Sequence, residues 1–280
     1  MTVPAYPPHS GTRRAVWPLW QALRQREPTL AAFVALMLAL AVPTVLALLV
    51  DTRQVHGVNV WAKPLKFMLS LALFAATTGW FFDLLPAARR QARPARLIVW
   101  TIVVAGMGEV AYISLQAALG QASHYNLGDR THALMYQLMG AGALSLMLTQ
   151  LLLAHQIARH ARPDVPPLWR QAVLLALRLS FVLGVAAAAL LANAQPPSGV
   201  GVPLMGWHLG GADLRPAHFI GSHAVQAVSL LAWWLLQRRA HVSPRQQQGW
   251  LLLFVGSYTA LWLAALLRGL QGAVWLPSVV

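Results

Sequence analysis

The chain contains no cysteine in its 280 residues. Disulfides, thiolate metal sites and cysteine nucleophiles are therefore excluded. Acidic residues are almost as scarce: seven Asp and Glu stand against 21 Lys and Arg, a formal net charge of +14. Charged residues make up only 10% of the chain, where a soluble domain carries about 25%. No P-loop, no Gly-x-Ser-x-Gly elbow and no His-Glu-x-x-His pair occurs, so the usual phosphate cradle, serine elbow and zinc-helix signatures are missing. The last apolar stretch has no lysine for a retinal-type Schiff base.

What the chain has instead is apolar length. Hydrophobic residues account for 58% and the mean hydropathy is +0.55. A membrane span needs about 20 apolar residues. Seven stretches meet that length: 29–50, 65–85, 97–119, 132–156, 169–193, 217–237 and 248–270. The sequence thus predicts an all-α integral membrane protein of seven transmembrane helices, occupying 29–270. A polar tail, 1–28, precedes the bundle and a short tail, 271–280, follows it. The first apolar run is too long for a cleaved signal, whose core is roughly 7–15 residues. Trp61, Trp80, Trp100, Trp169, Trp207, Trp250 and Trp275 fall near span ends, as an interfacial aromatic belt requires.

Orientation follows from the cations. One set of connections carries Arg13, Arg14, Arg24, Arg26, Arg89, Arg90, Arg93, Arg96, Arg159, Arg162, Arg170, Arg238, Arg239 and Arg245. The opposite set carries Arg53, Lys63, Lys66, Arg130, Arg215 and Arg268, and Arg178 lies mid-span. Basic loops stay in the cytoplasm, so the N-terminus is predicted inside and the C-terminus outside. The positive charge is explained by topology, and no nucleic-acid partner is expected. The expected partner is the lipid bilayer, with the bacterial cytoplasmic (inner) membrane as the location.

Polar residues inside the spans gather towards the outer side. The stretch Trp207 to Gln226 is the densest: a Gly/Pro-rich loop with His208, Asp213 and Arg215 leads into a helix holding His218, Ser222, His223 and Gln226. Lys63 and Lys66 open the second span, about one turn apart. His124 and Asn126 lie in the next outer loop, and His132 starts the fourth span. Glu109 is the one acid well inside a span, with Gln116 seven residues on and so on the same helix face. A carboxylate at that depth calls for a proton, a cation or a metal, and Arg268, Arg178 and Lys66 are the cations at hand.

Three strings, Trp61-Ala-Lys-Pro-Leu-Lys-Phe67, Ser123-His124-Tyr125-Asn126 and His218-Phe-Ile-Gly-Ser-His223, resemble those of a family of bacterial multi-pass membrane proteins to which no activity is assigned. The resemblance covers these outer motifs and the span layout. It implies a seven-span bundle and no particular chemistry.

Three functional expectations follow from the residues. The first is a membrane-embedded, metal-dependent enzyme acting on a lipid or other membrane-soluble substrate. His132, His218 and His223 would hold a divalent ion such as Zn or Fe. Glu109 would act as ligand or base, and Lys63, Lys66 and Arg268 would hold an anionic group. Gln116, His124, Asn126, His208, Asp213, Arg215 and Gln226 would complete the substrate pocket. The second is a redox protein using the same histidines for haem b or a quinone. The third is a transporter or receptor that binds a small anion.

Overall fold

The computed structural model describes residues 16–276 except Ser198, Val200, Leu204 and Ala240; the predicted tail positions Arg13 and Arg14 lie outside the described residues. The regular elements of the described chain are helices apart from four two-residue strands. The helices are α1 (Val16–Arg26), α2 (Pro28–Val50), α3 (Ala62–Phe81), α4 (Ala87–Arg90), α5 (Arg93–Ala118), α6 (Arg130–His160), α7 (Pro167–Leu191), α8 (Arg215–Ser222), α9 (Ala224–Arg238) and α10 (Pro244–Leu270). Six of them are long and apolar enough to cross a membrane, or seven if the bent pair α8–α9 is one span. This is the architecture of a multi-pass helical membrane protein.

Local chemistry sets several helix starts. Proline occupies the first turn of α2, α5, α7, α8 and α10, where its missing N–H costs nothing. Side chains cap three starts: Glu27 accepts from the Thr29 amide, Asp129 from those of Thr131 and His132, and Ser243 from that of Gln246. Pro43 stays inside α2 without ending it. The polar tail predicted for residues 1–28 contains a helix, α1, because Leu23 finds a buried seat over Gly79 of α3. A side chain at Gly79 would occupy the space of Leu23.

The main core joins α1, α2, α3, α5, α6, α7, α9 and the first half of α10. At its arginine-rich end one carboxylate, Asp83, is flanked by Arg26 at 3.3 Å, Arg90 at 3.6 Å and Arg162 at 3.8 Å. A smaller core lies towards the opposite end between α7, α8, α10 and the long loop.

The sixth predicted span, 217–237, is broken. The axes of α8 and α9 meet at 42°, with His223 between them. Gly221 explains why α8 can lie so close to α7: a Cβ there would be 2.7 Å from the Leu183 backbone. Two carbonyls around the break take side-chain donors, since buried backbone acceptors must be satisfied. Ser180 of α7 donates to the Ser222 carbonyl at 2.8 Å, and Tyr258 of α10 donates to that of Ile220 at 2.5 Å.

Candidate functional site

Short structures roof the end opposite the arginines. Strands β1 (Gln54–Val55) and β2 (Val58–Asn59) form a hairpin turned by His56 and Gly57, both at positive φ, as a tight two-residue turn demands. Behind it, Asp51 accepts from the Arg53 guanidinium and, at 2.8 Å, from the Trp61 indole. The Arg53 hydrogen bonds hold its carboxyl well below the usual carboxylate range. Strands β3 (Ala194–Gln195) and β4 (Val274–Trp275) tie the start of the long loop to the chain beyond α10.

Asp213 organises the long loop. It is 2% exposed. It accepts from the His208 amide at 2.8 Å, from the Arg215 amide at 3.0 Å, and from Arg215 Nε and Nη2 at 2.8 and 2.6 Å. Burial pushes its carboxyl up, but the Arg215 and His208 bonds outweigh it and keep the group below its ordinary value. Arg215 also donates to the Gly206 carbonyl at 2.7 Å. Gly269 lets α10 approach this point, for a Cβ there would be 2.6 Å from the Asp213 carbonyl oxygen. A surface depression of about 460 Å³ is lined by Pro197, Gly201, Trp207, His208 and Gly210 among others. Nε2 of His208 is buried and has no hydrogen-bond partner among the described residues.

Beside this loop stand the two lysines of α3. Lys66 Nζ donates to the Met205 carbonyl at 3.2 Å. Lys63 is half-buried and close enough to Lys66, Glu109 and Arg215 to interact with each through charge. Neither lysine has a carboxylate within 4.0 Å among the described residues. His124 completes the group. Its ring packs between Phe67, at 6.0 Å, and Tyr136, at 5.9 Å, and Nδ1 lies 3.2 Å from the Ser123 hydroxyl. Burial first, then the nearby Lys63 charge, hold this imidazole well below its usual pKa, so it is neutral. Tyr125 and Tyr136 anchor the same loop by donating to the Leu191 and Ala192 carbonyls at the end of α7.

Glu109 is buried, at 5% exposure, as is Gln116 on the same face of α5. Among the described residues the Oε1 atoms of both have no hydrogen-bond partner, and neither does the Tyr112 hydroxyl. Glu109 Oε1 lies 3.1 Å from where a Cβ on Gly142 would be, so the carboxyl fits against α6 because residue 142 is glycine. The expected partner Arg268 is elsewhere: it is exposed at the end of α10 and donates to Gln271 at 3.0 Å. Arg178 is exposed as well. No ion pair within 4.0 Å joins Glu109 to a described residue.

The three histidines predicted as metal ligands do not gather. His132 pairs with Asp129 at 2.5 Å and faces Gln121 at 3.2 Å, inside the cap of α6. His218 Nδ1 lies 3.2 Å from the Gly184 carbonyl. His223 Nδ1 is 3.2 Å from Gln226 Oε1, while Gln226 donates to Thr77 at 3.3 Å. Among the described residues no group of three or more His, Asp or Glu is placed to hold a metal ion. Asn126 only ties its own loop, donating to Ala122. The structure thus joins Lys63, Lys66, His124, Asp213 and Arg215 beside Glu109. It leaves His132 and Arg268 apart.

No family model matches the chain, and no curated protein or solved structure matches it either. The class rests on the fold alone, a bundle of membrane-length helices with a cationic group under its longest loop.

Proposed function

We propose that this chain is a membrane protein that binds a small anion, or the anionic headgroup of an amphiphile, between α3 and the long loop preceding α8. By the arginine bias, that end faces outside the bacterial cytoplasmic membrane. One observation carries the reading: Lys63 and Lys66 stand together, half-buried, with no carboxylate within 4.0 Å among the described residues. Desolvated cations without partners are costly, and a bound phosphate or carboxylate group would supply the missing charge. Arg215 adds to the field but is already matched by Asp213. Met205 and Gly206, whose carbonyls take Lys66 and Arg215, give the loop a way to sense the ligand. The role is that of a receptor or transport site. The metal-dependent reading lacks a ligand set in this arrangement, so the proposal rests on binding.

Calorimetric titration of purified protein with inorganic phosphate, acetate and a short-chain phosphatidic acid tests it. Binding that disappears in Lys63→Met/Lys66→Met supports the site. Preference for phosphatidic acid over phosphate identifies a headgroup, and the reverse a free anion. Heat that is the same in wild type and double variant would overturn the proposal.

A further inference from the structure

Arg178 is the one cation in the middle of a span. It is the twelfth of the 25 residues of α7, counting from Pro167. At about 1.5 Å per residue it lies roughly 16 Å from one helix end and 20 Å from the other. Long basic side chains reach the interface from helix ends, but not from the centre of a hydrocarbon layer about 30 Å thick. Intramembrane charges normally turn into the bundle and find a partner. Arg178 does neither: it is exposed, and no ion pair joins it to a described residue.

Its surroundings are shaped for a neighbouring helix. Val182 and Ala186 follow at four-residue steps on the same exposed face of α7, with Ala189 just beyond. Small side chains let two helix backbones approach closely in lipid. The chain itself supplies no complement for the charge. Of its seven acids only Glu109 lies well inside a span, and it is buried against Gly142 of α6. A second copy would bring another arginine and no available carboxylate at that depth.

We infer that the Arg178 face of α7 is an interface for a different membrane protein, one whose transmembrane helix carries an Asp or Glu at mid-depth. The ion pair forms within the hydrocarbon layer, where it supplies both affinity and register, and Val182 and Ala186 form the contact around it.

The absence of cysteine makes the test direct. A donor dye is attached through Gln91→Cys, in the exposed loop between α4 and α5. The labelled protein is reconstituted at high dilution in phosphatidylcholine vesicles. Acceptor-labelled leucine–alanine peptides of about 20 residues are added, bearing Asp, Asn or Leu at the centre. The Asp peptide should associate roughly tenfold more tightly than the Leu peptide, with Asn between them. Arg178→Leu should abolish that preference, and Arg178→Lys should keep most of it. Equal association of all peptides with wild type would overturn the inference, as would a preference that survives in Arg178→Leu. Energy transfer between donor- and acceptor-labelled copies of the chain, lost in Arg178→Leu, would also overturn it, because it assigns the face to self-association.

Discussion

Lys66 of α3 donates to the main-chain carbonyl of Met205, 139 residues away, at 3.2 Å. That bond ties the long loop to the second span and is the one hydrogen bond of the ammonium group to a described residue. A carbonyl neutralises no charge, so the bond positions Lys66 without satisfying it.

Glu109 tests how charge is balanced there. It has no ion pair within 4.0 Å among the described residues, so Glu109→Gln breaks no bridge there and should change the melting temperature little. It does sit near enough to Lys63 to interact. Removing its charge should therefore tighten anion binding a few-fold, on the order of 1 kcal/mol. Weaker phosphate binding in Glu109→Gln would mean that the carboxyl helps the ligand rather than opposing it.

His124 gives a pH dependence. Burial and Lys63 lower its folded-state pKa, so the unfolded chain takes up the proton first as the pH falls. The stabilisation is complete above the unfolded value of about 6.5 and is lost as pH drops below it. Melting temperature should fall from neutral pH towards pH 5, and His124→Gln should flatten that part of the curve. An unchanged slope in the variant would assign the acid sensitivity to other groups.

Asp213 acts in a more acidic window. Its folded-state pKa lies below the ordinary one, so its contribution is present above about pH 3.9 and lost as the pH falls further. Asp213→Asn removes the ion pair to Arg215 and should open the loop to protease already at neutral pH. Equal protease resistance of wild type and variant would show that Asp213 does not hold the loop.

The α8–α9 break gives a stability order. Ser180→Ala and Tyr258→Phe each strand a carbonyl and should cost about 1 kcal/mol. Gly221→Ala forces the α7 backbone away and should cost about 2 kcal/mol. Unfolding in mixed detergent measures all three. A Gly221→Ala protein as stable as wild type would contradict the close crossing.

Much of this fold is legible in the sequence because membrane helices announce themselves by length and hydropathy. Six predicted spans correspond to single helices of sufficient length, and the remaining one, 217–237, is a helix pair bent at His223. That bend was hidden because no proline marks it; it depends on Gly221, Ser180 and Tyr258, which come from three different helices. Helix α1 was hidden in a polar tail because its seat is created by Gly79 of another helix. For the site, periodicity puts Glu109 and Gln116 on one helix face and Lys63 one turn from Lys66, and the structure buries the first pair and half-buries the second. Histidine count misled, because the partners of His132, His218 and His223 are Asp129, the Gly184 carbonyl and Gln226, none of which composition can assign. The roles of Asp51 and Asp213 were equally hidden, since each depends on a guanidinium two residues away folding back onto it.

The central claim is that α3 lysines, rather than the outer cations in general, bind an anion. Arg268 provides the control, because the sequence put it in the same pocket while the structure leaves it exposed beside Gln271. Phosphate binding should be measured calorimetrically in three proteins under one buffer: wild type, Lys63→Met/Lys66→Met and Arg268→Met. The account predicts binding in wild type and Arg268→Met with equal affinity, and none in the lysine variant. Binding that persists without the two lysines, or falls equally when Arg268 is replaced, would contradict it.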